Sequence, residues 1–313
     1  MRVLWLYIKN YLELKRVPEN VRVWVITFLA LVFSFAVLLL ILLFSKLGEN
    51  TSYTLKVNSE FFQYTPNDKN SSDILLKNFS VGECGDVQFI KEQARTLEGV
   101  LNLNQGAQVS ITRFSDRNLI IEILGKDAKY SSGALSVDFN KEFLPICTAI
   151  VVELDTNNPI FSANLIGDVQ IGKNISDASD YYFPTLKEGY VEISDYSLIT
   201  ESNYYFSPRV FNNGDYVYFK KEKNNPVKGY IRAEYNDKGL NGVFFSNGGK
   251  VFIQKYRSLP QKVDVSFINR ITEDNEATLA FTVLFVFIQL VAFIISFLLR
   301  IKIINISRED LND

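Results

Sequence analysis

Alternation is the feature that most constrains this chain. Eleven segments switch between apolar and polar residues at a period of two: SYTLKV (52–57), AQVSITRF (107–114), NLIIEIL (118–124), AIVVEL (149–154), GYVEIS (189–194), NYYFSPRV (203–210), DYVYFKK (215–221), GYIRAEY (229–235), GVFFS (242–246), KVFIQKY (250–256) and KVDVSFI (262–268). Successive side chains of a strand point to opposite faces, so this pattern makes one face dry and the other wet. Between the segments lie NQG, SDRN, NNGD, NNP, NDKG and SNGG, which supply the Gly, Asn, Asp and Pro that tight turns need. The close spacing late in the chain predicts consecutive antiparallel hairpins, and hence a sandwich or barrel. FIKEQARTLEGVL (89–101) departs from the pattern: Ile90, Ala94, Leu97 and Leu101 are helically spaced and predict a short helix. The polar stretch ISDASDYYFP (175–184) marks either a loop within one domain or a boundary between lobes at 50–174 and 184–270.

Two blocks follow a different rule. Residues 23–44 and 277–299 are almost wholly apolar and carry no charge. About 20 such residues in a helix span roughly 30 Å of hydrocarbon. The expectation is therefore a membrane protein, mainly β, with transmembrane helices at 23–45 and 277–299 flanking a large extracytoplasmic antiparallel domain at 46–276. Arg2, Lys9, Lys15, Arg16 and Arg22 precede the first block, and Arg300, Lys302 and Arg308 follow the second. By the positive-inside rule both termini, including the short tail 300–313, are expected to be cytoplasmic, with membrane lipid as a partner. Residues 1–22 read as a cytoplasmic amphipathic segment whose interfacial helix covers 1–16: Leu4, Ile8, Tyr11 and Leu12 share an apolar face, Trp5 suits the headgroup level, and Pro18 ends the helix. The Asn, Lys, Ile and Phe bias points to a bacterial inner membrane, which places 46–276 in the periplasm or outside the cell.

Within the second block Thr278, Thr282, Gln289, Ala292 and Ser296 fall on one stripe, spaced by threes and fours through Phe285. Thr27, Ala30 and Ser34 form a similar stripe in the first. Small and hydroxyl residues on one seam let helices approach and hydrogen-bond. The seam predicts packing between the two helices of one chain, packing between copies, or a pore lining.

The chain has no histidine, which removes the commonest general base and metal ligand. Ser-His-Asp and Cys-His nucleophile systems and HExxH zinc sites are excluded, and no P-loop, GxGxxG, CxxC or EF-hand pattern occurs. No catalytic residue, metal ligand or cofactor is expected. The two cysteines, Cys84 and Cys147, are expected to form a disulfide. Residues 46–276 hold 25 basic and 30 acidic residues, a balance that disfavours nucleic acid. The implied function is non-enzymatic: an external β domain that mediates oligomerisation and binds a partner or ligand, as a homo-oligomer or with other envelope subunits. The alternatives are a channel-like or membrane-permeabilising subunit, and a sensor that relays an external signal to a cytoplasmic partner.

Overall fold

The computed structural model describes residues 51–67, 73–84, 95–126, 132–137, 140–173, 184–197, 203–220, 226–255 and 257–309, together with 27, 28, 31, 32 and 34. The strands are β1 (Ser52–Ser59), β2 (Phe61–Pro66), β3 (Asp73–Glu83), β4 (Arg95–Leu103), β5 (Gln108–Arg113), β6 (Asn118–Leu124), β7 (Gly133–Val137), β8 (Asn140–Phe143), β9 (Cys147–Glu153), β10 (Ile160–Ile171), β11 (Leu186–Tyr196), β12 (Asn203–Tyr205), β13 (Arg209–Phe211), β14 (Tyr216–Lys220), β15 (Val227–Glu234), β16 (Leu240–Asn247), β17 (Lys250–Gln254) and β18 (Gln261–Lys262). All eighteen belong to one antiparallel sheet. Pairing runs β8–β7–β4–β3–β9–β6–β5–β2–β10–β15–β16–β1–β11, and β12 and β13 share the free edge of β11. β14, β17 and β18 branch from the end of β10.

β10 is the hub of this ladder. Gly167 is the residue at which its partners change: it opposes Val227 of β15 and Pro66 of β2. A Cβ at Gly167 would lie 2.1 Å from the carbonyl oxygen of Thr65, so only glycine lets the backbones approach this closely. Inward residues of the strands join in a single apolar cluster. At its centre the rings of Phe62 and Phe244 are tilted at 5.4 Å, an arrangement typical of packed aromatic pairs. They lie over Gly242, where a Cβ would come within 2.6 Å of Phe244. Buried tyrosines keep their hydroxyls satisfied: Tyr53 donates to the Val263 carbonyl at 3.3 Å and Tyr64 to the Ile166 carbonyl at 3.3 Å.

One buried charge ties distant turns together. Arg113, 2% exposed, ends β5. Its Nη2 donates to the carbonyls of Asp116 at 2.6 Å, Glu234 at 2.8 Å and Asp237 at 2.9 Å, and its Nε also donates to Asp237 at 3.2 Å. Burial pushes the guanidinium below its usual pKa, and Asp237 and Asp116 oppose that shift. The β5–β6 turn is thereby fastened to the β15–β16 turn.

Two helices follow the strands. α1 (Phe267–Glu273) is capped by Ser266, whose Oγ accepts from the Asn269 amide at 3.3 Å. Asp274 caps α2 (Asn275–Glu309) by accepting from the Glu276 amide at 3.1 Å. The chain divides into two compact units, one of 48–196 and 203–265, the other of 1–47, 197–202 and 266–313.

The structure corrects three expectations. First, among the described residues no helix is long and apolar enough to cross a membrane. The first apolar block lies outside the described residues except at 27, 28, 31, 32 and 34. Among the described residues the fold is therefore mainly a large antiparallel sheet with two helices after it, and an integral membrane location with two spans is not supported. Second, the helix expected at 89–101 is strand β4 from Arg95 onward, with residues 89–94 outside the described residues. Leu101 and Leu103 are buried on alternate positions against β3 and β7, so sheet pairing overrides a weak helical spacing. Third, the strand expected at 262–268 ends at Lys262. Val263 and Val265 remain inward, but Ser266 then caps α1. The amphipathic segment expected at 1–22 and most of the 175–184 boundary lie outside the described residues.

Candidate functional site

Cys84 and Cys147 are bonded, with Cα atoms 5.6 Å apart. The pairing follows from strand register: Glu83 opposes Thr148 across β3 and β9, so the next pair outward is Cys84 and Cys147. The bridge closes the end of that ladder across a separation of 63 residues.

On α2, Thr278, Thr282, Gln289 and Ala292 are all exposed, and the Thr282 hydroxyl donates to the Thr278 carbonyl at 2.8 Å. Leu279, Phe285 and Phe293 are each more than 60% exposed. The side chain of Ser296 lies outside the described residues. Thr27 and Ser34 are helical and exposed; Ala30 lies outside the described residues, as do Leu4, Trp5, Ile8, Tyr11 and Leu12.

The most developed surface lies on the outer face of β15–β16–β1–β11–β13. Register places Tyr230 opposite Val243, Val243 opposite Lys56, Lys56 opposite Tyr190, and Tyr190 opposite Val210. This row crosses five strands, roughly 19 Å at the usual strand spacing. Val210 is 72% and Tyr230 46% exposed. Outward positions of a half-wet sheet are normally polar, so a lateral row of aromatic and apolar side chains is a recognition feature. Phe245 extends the apolar surface one position along β16.

Lys56 is the charge at the centre of the row. Its Nζ lies 3.2 Å from Glu192 and 5.4 Å from the centre of the Tyr190 ring. The Glu192 carboxylate, followed by the Tyr190 hydroxyl, holds this ammonium above the ordinary lysine pKa. Beside the row is a groove of about 490 Å³, lined on its far side by Asn241, Asn58 and Glu188. Asn58 donates to Asn241 at 2.9 Å, and Asn241 donates to the Asp237 carboxylate at 3.2 Å. The same Asp237 offers its carbonyl to Arg113, so the buried arginine also positions the Asn241 side of the groove.

Sequence reasoning missed this face. Tyr190, Val210 and Tyr230 at wet positions of alternating strands were the available signal, but only strand register shows that they align.

A second cluster is structural. Ser197 donates to Asp274 at 3.1 Å and to Glu276 at 2.9 Å, which orients the cap of α2. Among the described residues no group of three or more metal-capable side chains occurs.

The fold and site thus define an antiparallel β protein with a mixed aromatic and polar outer face. Comparisons with models of known families, with curated proteins and with solved structures each return no match.

Proposed function

We propose that this chain is a non-enzymatic binding protein whose β domain engages a partner or ligand through the outer face of β15–β16–β1–β11–β13. The observation that carries this reading is the row Tyr230–Val243–Lys56–Tyr190–Val210, aligned by register and exposed at both ends. Aromatic anchors around a central charge with a polar rim are the composition of binding hot spots. The absence of histidine from the whole chain supports a binding role over catalysis. The test is binding of the full chain to arrayed proteins, peptides and glycans, beside the variant Tyr190→Ser/Val210→Ser/Tyr230→Ser. Saturable binding by the native chain that the variant loses supports the reading. Equal binding by the two chains, or none by either, refutes it.

A second reading concerns α2, whose exposed apolar residues favour self-association. Its stripe keeps a three-four spacing through Gln289, and an amide both donates and accepts, so it complements itself across a two-fold axis. α2 of one copy pairs with α2 of another. Sedimentation of the full chain should show a dimer or larger species that Gln289→Ala weakens. A monomer at all concentrations, or a dimer indifferent to that change, counts against it. The channel and sensor readings presuppose two membrane-crossing helices and are not carried further.

A further inference from the structure

We propose that the groove beside Lys56 is a saccharide site that takes one uncharged pyranose ring of a glycan; this rests on the outer-face reading above. Its two walls differ in kind. One is Val243, Lys56, Tyr190 and Val210; the other is Asn241, Asn58 and Glu188. The walls sit two residues apart along β16, β1 and β11, about 7 Å, with the inward row Gly242–Val57–Gly189 between them at the floor. A pyranose ring is amphipathic in the same sense. Its C–H face packs on an aromatic ring and aliphatic methyls, and its vicinal hydroxyls match planar amides and carboxylates that donate and accept in pairs.

Charge narrows the ligand. Lys56 is already paired with Glu192, and Glu188, with no ion-pair partner among the described residues, adds a carboxylate to the lining. The site therefore disfavours phosphate, sulfate and uronate groups and suits a neutral hexose or N-acetylhexosamine. Backbone pairing argues against an extended peptide. β1 is hydrogen-bonded to both β11 and β16, β16 to both β1 and β15, and β11 to β1 and to β12 and β13. Among the described residues β16, β1 and β11 are thus paired on both edges and only the outer edge of β13, beyond Val210, is open, so between the two walls side chains alone must read the ligand.

The experiment is calorimetric titration of the full chain with cellobiose and with N,N′-diacetylchitobiose, followed by a glycan array. At least one neutral saccharide should bind saturably. Tyr190→Ala and Glu188→Gln should each weaken it about tenfold or more, while Glu122→Gln on the distant β6 leaves it unchanged. Unchanged thermal midpoints for the variants show that the fold is intact; Glu188→Gln, at an exposed position, keeps the test open if Tyr190→Ala unfolds. No saturable saccharide, or affinities indifferent to both changes, overturns the inference. If outer-face variants abolish capture of a protein or peptide while no saccharide binds, the saccharide site fails and the binding face stands. If they change no binding at all, both fail.

Discussion

Arg113→Leu is expected to be the most damaging single change in the sheet domain. Its guanidinium serves three carbonyls, those of Asp116, Glu234 and Asp237, on two turns far apart in sequence. Leucine approximates the bulk of the stem and donates nothing. Each acceptor left without a donor costs about 1–3 kcal/mol. The Asp116 and Glu234 carbonyls each keep a backbone donor, the Asn236 and Asp237 amides at 3.1 Å, so only the Asp237 carbonyl is left bare. One bare carbonyl at about 1–2 kcal/mol, two that each lose one of two hydrogen bonds at about 0.5 kcal/mol, and ~1 kcal/mol of lost stem packing give about 3–4 kcal/mol. Arg113→Lys keeps the charge but cannot reach all three carbonyls, and should lose about half as much. The assay is urea unfolding followed by far-ultraviolet circular dichroism, because both tryptophans, Trp5 and Trp24, precede the sheet domain. Arg117→Ala, whose side chain lies 5.9 Å from the Tyr235 ring at the surface, is the control and should change stability by less than about 1 kcal/mol. An Arg113→Leu loss no larger than that control would refute the reasoning. Arg113 also fixes Asp237, so the same variant should weaken groove binding even under conditions where it remains folded.

Other outcomes follow from the same structure. Reducing the Cys84–Cys147 bridge, or Cys84→Ser with Cys147→Ser, should cost about 4 kcal/mol in the loop-entropy account for a separation of 63 residues; unfolding with and without reductant measures it, and a loss under about 1 kcal/mol would contradict it. Gly167→Ala forces a Cβ against the Thr65 carbonyl and should cost about 1–3 kcal/mol, read by the same unfolding curves. Lys56 should titrate above the ordinary lysine value by NMR of its side chain, because Glu192 and Tyr190 favour its charged form. A raised folded pKa means that its contribution is full below the unfolded lysine pKa and is lost as pH rises through the folded one; a midpoint at or below the ordinary value would count against the Lys56–Glu192 pair.

Much of the sheet was legible because period-two alternation is a local signal. NLIIEIL coincides with β6, and β1, β5, β9 and β14–β17 fall on expected segments. The strands that escaped notice have physical reasons. In β3, Ile74 and Leu76 are buried two apart, but a bulge at Asn78, whose φ is 50°, resets the phase so that the next inward residue is Phe79. Asn78 holds that bend by donating to Asp155 at 3.2 Å. In β10, alternation survives in burial, but Ile160 and Ile166 face outward and the small Ala163 and Gly167 inward, which weakens the contrast between the faces. β12 and β13 share one expected strand because Ser207 and Pro208 interrupt it, and proline cannot donate to a ladder. The disulfide was legible by counting cysteines. The binding face was not, since its row is assembled from residues as distant as Lys56 and Tyr230 and exists only once register is known. The uncharged blocks were read as membrane spans from length and apolarity, and among the described residues no helix meets both conditions.

The central claim is that the outer face around Lys56 is where this protein binds. Hydrogen exchange of the full chain, free and saturated with a ligand found on the arrays, tests it most directly. Slowed exchange should concentrate in 54–58, 188–192 and 241–245, with β6 and β9 unchanged. Protection confined to β3, β4 or β7, with those three segments unaltered, would contradict it.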